Sequence, residues 1–201
     1  MKVPYPQLEA QGITNRKVLR ALRSLPRELF VLEEYQALAY ENSPLPINCG
    51  QTISQPFIVA YMTEQLELKP TDKVLEIGTG SGFQTGVLAQ LVQEVYTIEF
   101  FPELSQSAQQ RLEKLGYRNI KYKVGDGKLG WAEFAPFEAM LITATTSEIP
   151  ALLLQQLKGG GKMILPLAWS NGEQYLVLVN KLVSGKVKFK LLMPVKFVTL
   201  K

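Results

Sequence analysis

The sequence contains no histidine and only one cysteine, Cys49, among its 201 residues. Without these side chains the chain has neither the usual Cys/His zinc sites nor the Ser-His and Cys-His pairs of nucleophilic enzymes. A single cysteine also excludes a disulfide within the chain. Several hydrolase and metalloenzyme classes are therefore excluded before any motif is considered.

Long apolar runs are also missing. No stretch approaches the roughly 20 apolar residues that a membrane span needs, and the start of the chain, residues 1–6, has no apolar signal-peptide core. Lys and Arg total 22 against 18 Asp and Glu, and the excess lysines are scattered over residues 181–201. We interpret them as the polar face of exposed strands rather than a nucleic-acid surface. We expect a cytoplasmic monomer with neither nucleic-acid nor membrane partners.

Apolar periodicity changes at residue 73. Before it, Thr14 is predicted to cap a helix ending near Leu25, residues 41–56 are rich in turn formers, and Ser54 is predicted to cap the next helix. After it, strands are predicted at 74–77, 95–98, 120–124, 137–143 and from 163, and helices at 83–92, 103–115 and 148–157. This alternation predicts βαβ units and a parallel sheet. Further strands are predicted at 174–180, 186–192 and 195–200, where short turns indicate antiparallel pairing.

The strongest local motif is the Gly-x-Gly-x-Gly run from Gly78 to Gly82, between a predicted strand and a predicted helix. Glycines let the backbone turn sharply and let a ligand approach it closely. Dinucleotide sites use Gly-x-Gly-x-x-Gly, which places a pyrophosphate at a helix N-terminus. The different spacing favours a nucleoside ligand without phosphates.

Acidic residues end the next two predicted strands. Glu99 is placed to accept hydrogen bonds from both ribose hydroxyls of a nucleoside, and Asp126 is expected beside the adenine ring. Each residue taken alone also fits an ordinary turn or surface position. Together with the glycine run, in this order at the ends of three consecutive strands, they predict a site for S-adenosylmethionine.

The chain resembles the protein-L-isoaspartate O-methyltransferases. The resemblance covers about residues 20–200 and is carried by PRELFV (26–31), GQTISQPFIVA (50–60), VLEIGTGSGFQ (74–84), YTIE (96–99) and GDG (125–127). The 51–56 motif is specific to that family, whereas most class I methyltransferases share the glycine loop. The resemblance implies a Rossmann-like α/β fold with a mostly parallel central sheet, antiparallel C-terminal strands and helices on both faces.

The resemblance also implies an activity. It is transfer of a methyl group from S-adenosylmethionine to the side-chain carboxylate of L-isoaspartyl residues in damaged proteins and peptides, which starts repair through a succinimide. S-adenosylhomocysteine is the product and no metal takes part. The implied catalytic residue is Ser54, the implied substrate-binding residues are Thr52, Ile53 and Ser54, and the implied cofactor-binding residues are Gly78, Thr79, Gly80, Ser81, Gly82, Glu99, Asp126 and Gly127.

We expect one methyltransferase domain over residues 1–201. Its parts are N-terminal helices and a substrate loop (1–70), a cofactor-binding βα core (71–168) and C-terminal antiparallel strands (169–201). An Asp-like acceptor carboxylate has a pKa of about 3.9 and is already ionised at neutral pH, so no general base is needed. With no histidine present, we expect activity to be nearly flat between about pH 6 and 8.

The chain departs from the family pattern at five positions. The departures are Leu32, Glu138, Thr145, Thr146 and Thr199, where family members usually carry Pro, Asp, Ala, Ala and Pro. They leave open a methyltransferase of the same fold that acts on another carboxylate. A cofactor-binding paralogue without activity is a second alternative. An NAD-linked oxidoreductase is disfavoured by the glycine spacing and by the absence of a histidine acid or base.

Overall fold

The computed structural model describes residues 4–201. The expectations for the start of the chain, its first six residues and a domain beginning at residue 1, therefore fall partly outside the described residues. Within them the helices are α1 Gln7–Ala10, α2 Arg16–Ser24, α3 Pro56–Gln65, α4 Phe83–Ala89, α5 Pro102–Lys114 and α6 Ala151–Gln156. The strands are β1 Leu45–Pro46, β2 Thr52–Ile53, β3 Lys73–Ile77, β4 Glu94–Glu99, β5 Ile120–Val124, β6 Phe137–Ile142, β7 Leu157–Ala168, β8 Gln174–Lys181 and β9 Val187–Val195.

Seven strands form one sheet in the order β5-β4-β3-β6-β7-β8-β9. Neighbouring strands from β5 to β7 are parallel, whereas β8 and β9 pair antiparallel. The predicted fold, a mostly parallel sheet that finishes with antiparallel strands, is confirmed. The chain runs outward from β3 to β5 and then returns to β6 on the other side of β3. This reversal creates a switch point between β3 and β6, where open α/β sheets bind their ligands.

Side chains alternate between the two faces of the sheet because successive residues of a strand point in opposite directions. On one face, Val74 and Val95 pack with buried residues of α3 and α4, including Met62 and Leu88. On the other face, residues such as Leu75, Ile77 and Tyr96 pack with Leu153 of α6 and with partly buried aromatic side chains. Helices therefore cover both faces. No helix within residues 4–201 combines the length and the apolar character needed to cross a membrane.

Two predicted helix caps are wrong. Helix α2 is capped by Asn15, whose side chain accepts hydrogen bonds from the amides of Lys17 and Val18. Thr14 instead donates through its amide and hydroxyl to the carboxylate of Glu64 on α3. Helix α3 has Gln55 at its N-cap position with no capping side-chain bond. Pro56 starts this helix with a pre-set φ and no amide, so one donor fewer needs a partner.

The C-terminal strands also differ from the prediction. Strand β7 begins at Leu157, earlier than expected, because Leu157 pairs with Phe137 of β6. The register then shifts across glycines 159–161 before Lys162 pairs with Ala139, and an added Cβ on Gly161 would lie 2.8 Å from the carbonyl oxygen of Glu138. The strand predicted at 195–200 does not form. The side chain of Gln174 bonds both the amide and the carbonyl of Phe197, which ends the ladder. Beyond it the chain turns toward β6, where Thr145 bonds to Val198 and Leu200.

Candidate active site

A cavity opens at the carboxyl ends of β3, β4 and β6, beside the switch point. Its walls are built from segments that lie far apart in sequence. They are residues 51–54, Val59, residues 77–81, Phe83 and Gln84, residues 98–101, Gly127, Thr143 and Ala144, and residues 198–201. Most of the residues singled out from the sequence therefore face one shared space.

The glycine turn connects β3 to α4 and forms the floor of the cavity. Gly78 is held by two hydrogen bonds of 2.8 Å. Its amide donates to the carbonyl of Ile98, and its carbonyl accepts from the hydroxyl of Thr143. The three glycines differ in their surroundings. Gly80 lines the cavity, and the nearest atom to an added Cβ would be a methyl of Ile47 at 3.6 Å. Gly82 does not line it.

Gly82 instead serves the packing of two helices. Its φ is +87°, and an added Cβ would lie 3.0 Å from side-chain carbons of both Ala108 and Leu112 on α5. Glycine is needed there because an L-residue is strained at this φ and because α5 approaches closely. The motif thus contains one glycine exposed to the cavity and one glycine required by the fold.

Glu99 lies at the end of β4 with its carboxylate buried in the cavity wall. One carboxylate oxygen accepts a hydrogen bond from the amide of Gly80 at 2.8 Å, and the other accepts from the amide of Phe101 at 3.1 Å. A carboxylate has about four acceptor sites in total. Each oxygen therefore keeps acceptor capacity beyond its backbone bond, which fits a ligand with two neighbouring hydroxyl groups.

Asp126 and Gly127 follow β5 and are placed differently. Gly127 is buried and lines the cavity. Asp126 is half-buried, does not line the cavity, and its side chain accepts a hydrogen bond from the amide of Lys128 at 2.8 Å. In this position Asp126 caps the short turn that presents Gly127.

A fully buried carboxyl group, Glu76 of β3, was given no role from the sequence. One of its oxygens accepts hydrogen bonds from the hydroxyls of Thr85 and Thr97, at 2.5 and 2.6 Å, and its other oxygen has no partner. Burial raises the pKa of Glu76 to about 8, although these two hydrogen bonds act in the opposite direction. An acidic residue inside an otherwise apolar strand was the signal available in the sequence.

The Glu76 network reaches the cavity through Thr79. The hydroxyls of Thr79 and Thr97 lie 2.6 Å apart. Because Thr97 donates its single proton to Glu76, Thr79 is the donor in this pair. The hydroxyl of Thr79 therefore presents acceptor lone pairs, and not a proton, to the cavity that it lines.

The loop that contains Ser54 forms the wall opposite the glycine turn. Strands β1 and β2 pair antiparallel, with Pro46 opposite Thr52, and so bring residues 51–54 to the rim. Ile53 is buried, Thr52 is exposed and Ser54 is half-buried. Ser54 lines the cavity and is not the N-cap of α3, so its hydroxyl is not occupied by helix capping.

The C-terminal segment brings residues 198–201, including Thr199, to the cavity. Of the other departures, Thr145 and Thr146 do not line it. Thr145 bonds to Val198 and Leu200 of the segment that forms the cavity wall, whereas the backbone of Thr146 bonds to Pro166 and Ala168 of β7. Glu138 lies at the opposite end of β6 and pairs with Lys158 at 2.7 Å. Thr199 is therefore the one departure in the cavity itself.

No group of three or more acidic or cysteine side chains in the described part of the chain is arranged to hold a metal ion.

A carboxylate that bonds a Gly-x-Gly-x-Gly turn, at the switch point of this sheet, characterises the class I methyltransferases that use S-adenosylmethionine. Comparison with known proteins identifies the family within that class. The model of the protein-L-isoaspartate (D-aspartate) O-methyltransferases matches residues 5–201. The chain belongs to the protein-L-isoaspartate O-methyltransferase family, as its sequence motifs predict.

Individual relatives agree with this assignment. The chain is 52% identical to a protein-L-isoaspartate O-methyltransferase of Dictyoglomus turgidum, over 96% of this chain and 87% of the relative. A solved protein-L-isoaspartate O-methyltransferase superposes with a TM-score of 0.87 at 27% identity; the match covers 96% of this chain but spans only 63% of that protein. A Plasmodium falciparum protein, solved with S-adenosyl-L-homocysteine and proposed to have the same activity, shares the fold. Its TM-score is 0.86 at 24% identity, and the match covers all of this chain and 99% of that one.

Proposed function

We propose that this enzyme transfers a methyl group from S-adenosylmethionine to the free carboxylate of L-isoaspartyl residues in damaged proteins and peptides. The observation that carries the proposal is the shared cavity, in which the family-specific 51–54 segment faces the glycine turn and Glu99. Membership of the family supports the same activity.

Cofactor binding is assigned to the glycine-turn side of the cavity. Glu99 accepts hydrogen bonds from the ribose hydroxyls, Gly78, Thr79, Gly80 and Ser81 lie along the cofactor, and Gly127 leaves room for the base. Gly82 and Asp126 shape the turns that present the lining residues, and direct contact of either residue with the cofactor stays a prediction. When bound, S-adenosylmethionine supplies an electrophilic methyl group attached to a sulfonium, and S-adenosylhomocysteine is the product. No metal is required.

The acceptor carboxylate needs orientation rather than activation, because it is already ionised at neutral pH. We assign this orienting role to the hydroxyl of Ser54, which donates one hydrogen bond, and substrate contacts to Thr52 and Ile53. Ser54 is not a nucleophile, since the chain has no histidine to remove its proton. Holding two reactants in line can contribute roughly 7–11 kcal/mol to catalysis.

The direct test is methyl transfer from labelled S-adenosylmethionine to an isoaspartyl peptide and to its normal aspartyl twin. We expect methylation of the first peptide and not of the second. In Ser54→Ala, kcat/KM for the isoaspartyl peptide should fall while cofactor affinity stays nearly unchanged. Equal methylation of both peptides would reject isoaspartyl specificity, and methylation of neither would reject the activity.

A second candidate is methylation of a different carboxylate by the same machinery. It is favoured by one observation, the position of Thr199 in the cavity wall. The peptide comparison distinguishes it from the main proposal. A single domain over residues 1–201, a monomeric state, a cytoplasmic location and the absence of nucleic-acid and membrane partners remain predictions.

A further inference from the structure

Arg27 is a fully buried arginine next to the cavity, and neither the sequence motifs nor the cavity lining assigns it a role. It starts the short helical turn Arg27–Phe30 after Pro26. Its Nε donates a hydrogen bond to the carbonyl of Ala39, and its Nη2 donates to the carbonyl of Ser54, both at 2.8 Å. A side chain from the N-terminal segment thus holds the backbone of the residue proposed to orient the acceptor.

The same guanidinium also contacts the cofactor side of the cavity. Its central carbon lies 4.8 Å from the ring centroid of Phe83, in the geometry of a cation–π contact. Phe83 is the first residue of α4, directly after the glycine turn, and it lines the cavity. Arg27 therefore touches both walls, the Ser54 carbonyl on one side and the Phe83 ring on the other.

Stability alone does not account for this arrangement. Burial lowers the pKa of Arg27 to about 10, so the group stays charged at neutral pH, and its Nη1 has no hydrogen-bond partner. The hydroxyl of Tyr5 is likewise buried without a partner. A buried charge that lacks a full set of partners is costly, and apolar replacements of similar volume are often neutral or stabilising. A buried charge with this incomplete set of partners points to a functional constraint on the two walls.

We propose that Arg27 is a positioning residue that fixes the substrate loop relative to the glycine turn, so that the acceptor carboxylate meets the methyl group in line. This role rests on the proposed function, because it acts through Ser54. Displacements of about 1 Å at a reacting centre can reduce rates by about 100-fold. Arg27 touches neither reactant and acts through the backbone of Ser54 and the ring of Phe83.

The test is Arg27→Lys, which keeps the positive charge but replaces the planar fork with a single ammonium group. Such a group does not reproduce the paired bonds to Ala39 and Ser54. We expect kcat/KM for the isoaspartyl peptide to fall about 10- to 100-fold. The Kd for S-adenosylmethionine should change less than about threefold, because the bonds of Glu99 and Gly78 remain. Arg27→Met leaves no buried charge and provides a folded variant should the lysine variant unfold.

Arg23→Lys is the matched control. Arg23 also donates from its Nε to a backbone carbonyl, that of Pro4 at 3.1 Å, but lies outside the cavity lining. Its substitution should leave kcat/KM unchanged. Combining Arg27→Lys with Ser54→Ala should give less than the product of the two single losses, because both changes act on one step.

Hydrogen exchange supplies a readout that does not depend on activity. In the Arg27 variants, exchange over residues 51–56 should rise more than exchange over the central strands. If wild-type enzyme fails to methylate the isoaspartyl peptide, the proposed function is lost, yet this local exchange still tests the positioning role. Folded Arg27 variants with wild-type kcat/KM, or exchange that rises evenly along the chain, would overturn the proposal.

Discussion

Replacing Glu76 by glutamine should abolish a large part of the pH dependence of stability. The folded state holds the carboxyl proton with a pKa of about 8, against an ordinary value of 4.5. Because the folded chain binds this proton more tightly than the unfolded chain, the contribution is fully present below about pH 4.5. It is lost as the pH rises through about 8.

The size of this effect follows from the same two values. Each tenfold difference in proton affinity corresponds to about 1.4 kcal/mol. The loss for Glu76 is therefore on the order of 5 kcal/mol between pH 4.5 and 8, which is a large share of the roughly 5–15 kcal/mol that stabilises a typical domain. Glutamine has nearly the same shape, stays neutral, and retains an oxygen that can accept from Thr85 and Thr97.

The assay is urea unfolding of wild type and Glu76→Gln at intervals from pH 5 to 9. The two free energies of unfolding should be similar near pH 5 and should diverge with rising pH, with the variant more stable at pH 9. Glu94→Gln is the matched control, because Glu94 is a partly exposed carboxylate paired with Lys121; its curve should run parallel to that of the wild type. A constant difference between wild type and Glu76→Gln across the whole range would refute the reasoning.

Three further predictions concern the cavity. Glu99→Gln should weaken S-adenosylmethionine binding about 10- to 100-fold, because it removes charge-assisted hydrogen bonds worth about 1.5–3 kcal/mol. An unchanged Kd in calorimetry would show that Glu99 does not bind the cofactor. Both Gly80→Ala and Gly82→Ala place a side chain at positive φ and should each cost about 1–3 kcal/mol of stability, and Gly82→Ala should cost more because its Cβ also contacts α5. Gly80→Ala should in addition reduce cofactor affinity, as calorimetry and thermal unfolding on both variants would reveal. The methylation rate should be flat from about pH 6 to 7 and should fall near and above pH 8 as Glu76 ionises beneath the glycine turn. This fall should disappear in Glu76→Gln. If the rate still falls in that variant, a group other than Glu76 is responsible.

The last prediction revises the expectation from sequence of a flat profile up to pH 8. That expectation counted histidine and the acceptor carboxylate, whose ordinary pKa values are known in advance. It did not include Glu76, because only burial moves this pKa to about 8. A residue type indicates what a group can do, whereas its surroundings decide the pH at which it does so.

Local patterns in the sequence were sufficient for the architecture. The alternation of apolar and amphipathic stretches predicts β3 to β7 with the intervening helices, because strand and helix periodicity depend on neighbouring residues. The glycine turn and Glu99 were recognisable for the same reason, since both lie at fixed positions relative to a strand end. The family motif at 51–56 predicts the substrate side, and the family model confirms the family.

Tertiary structure alone decided which residues meet. Residues 198–201 reach the cavity because the Gln174 side chain ends the β9 ladder and Thr145 pairs with the segment beyond it. Gly80 and Gly82 look alike in sequence, yet one faces the cavity and the other faces α5. Arg27 contacts the Ser54 backbone across 27 positions of sequence. Such contacts depend on how distant segments pack together, and no local periodicity encodes them.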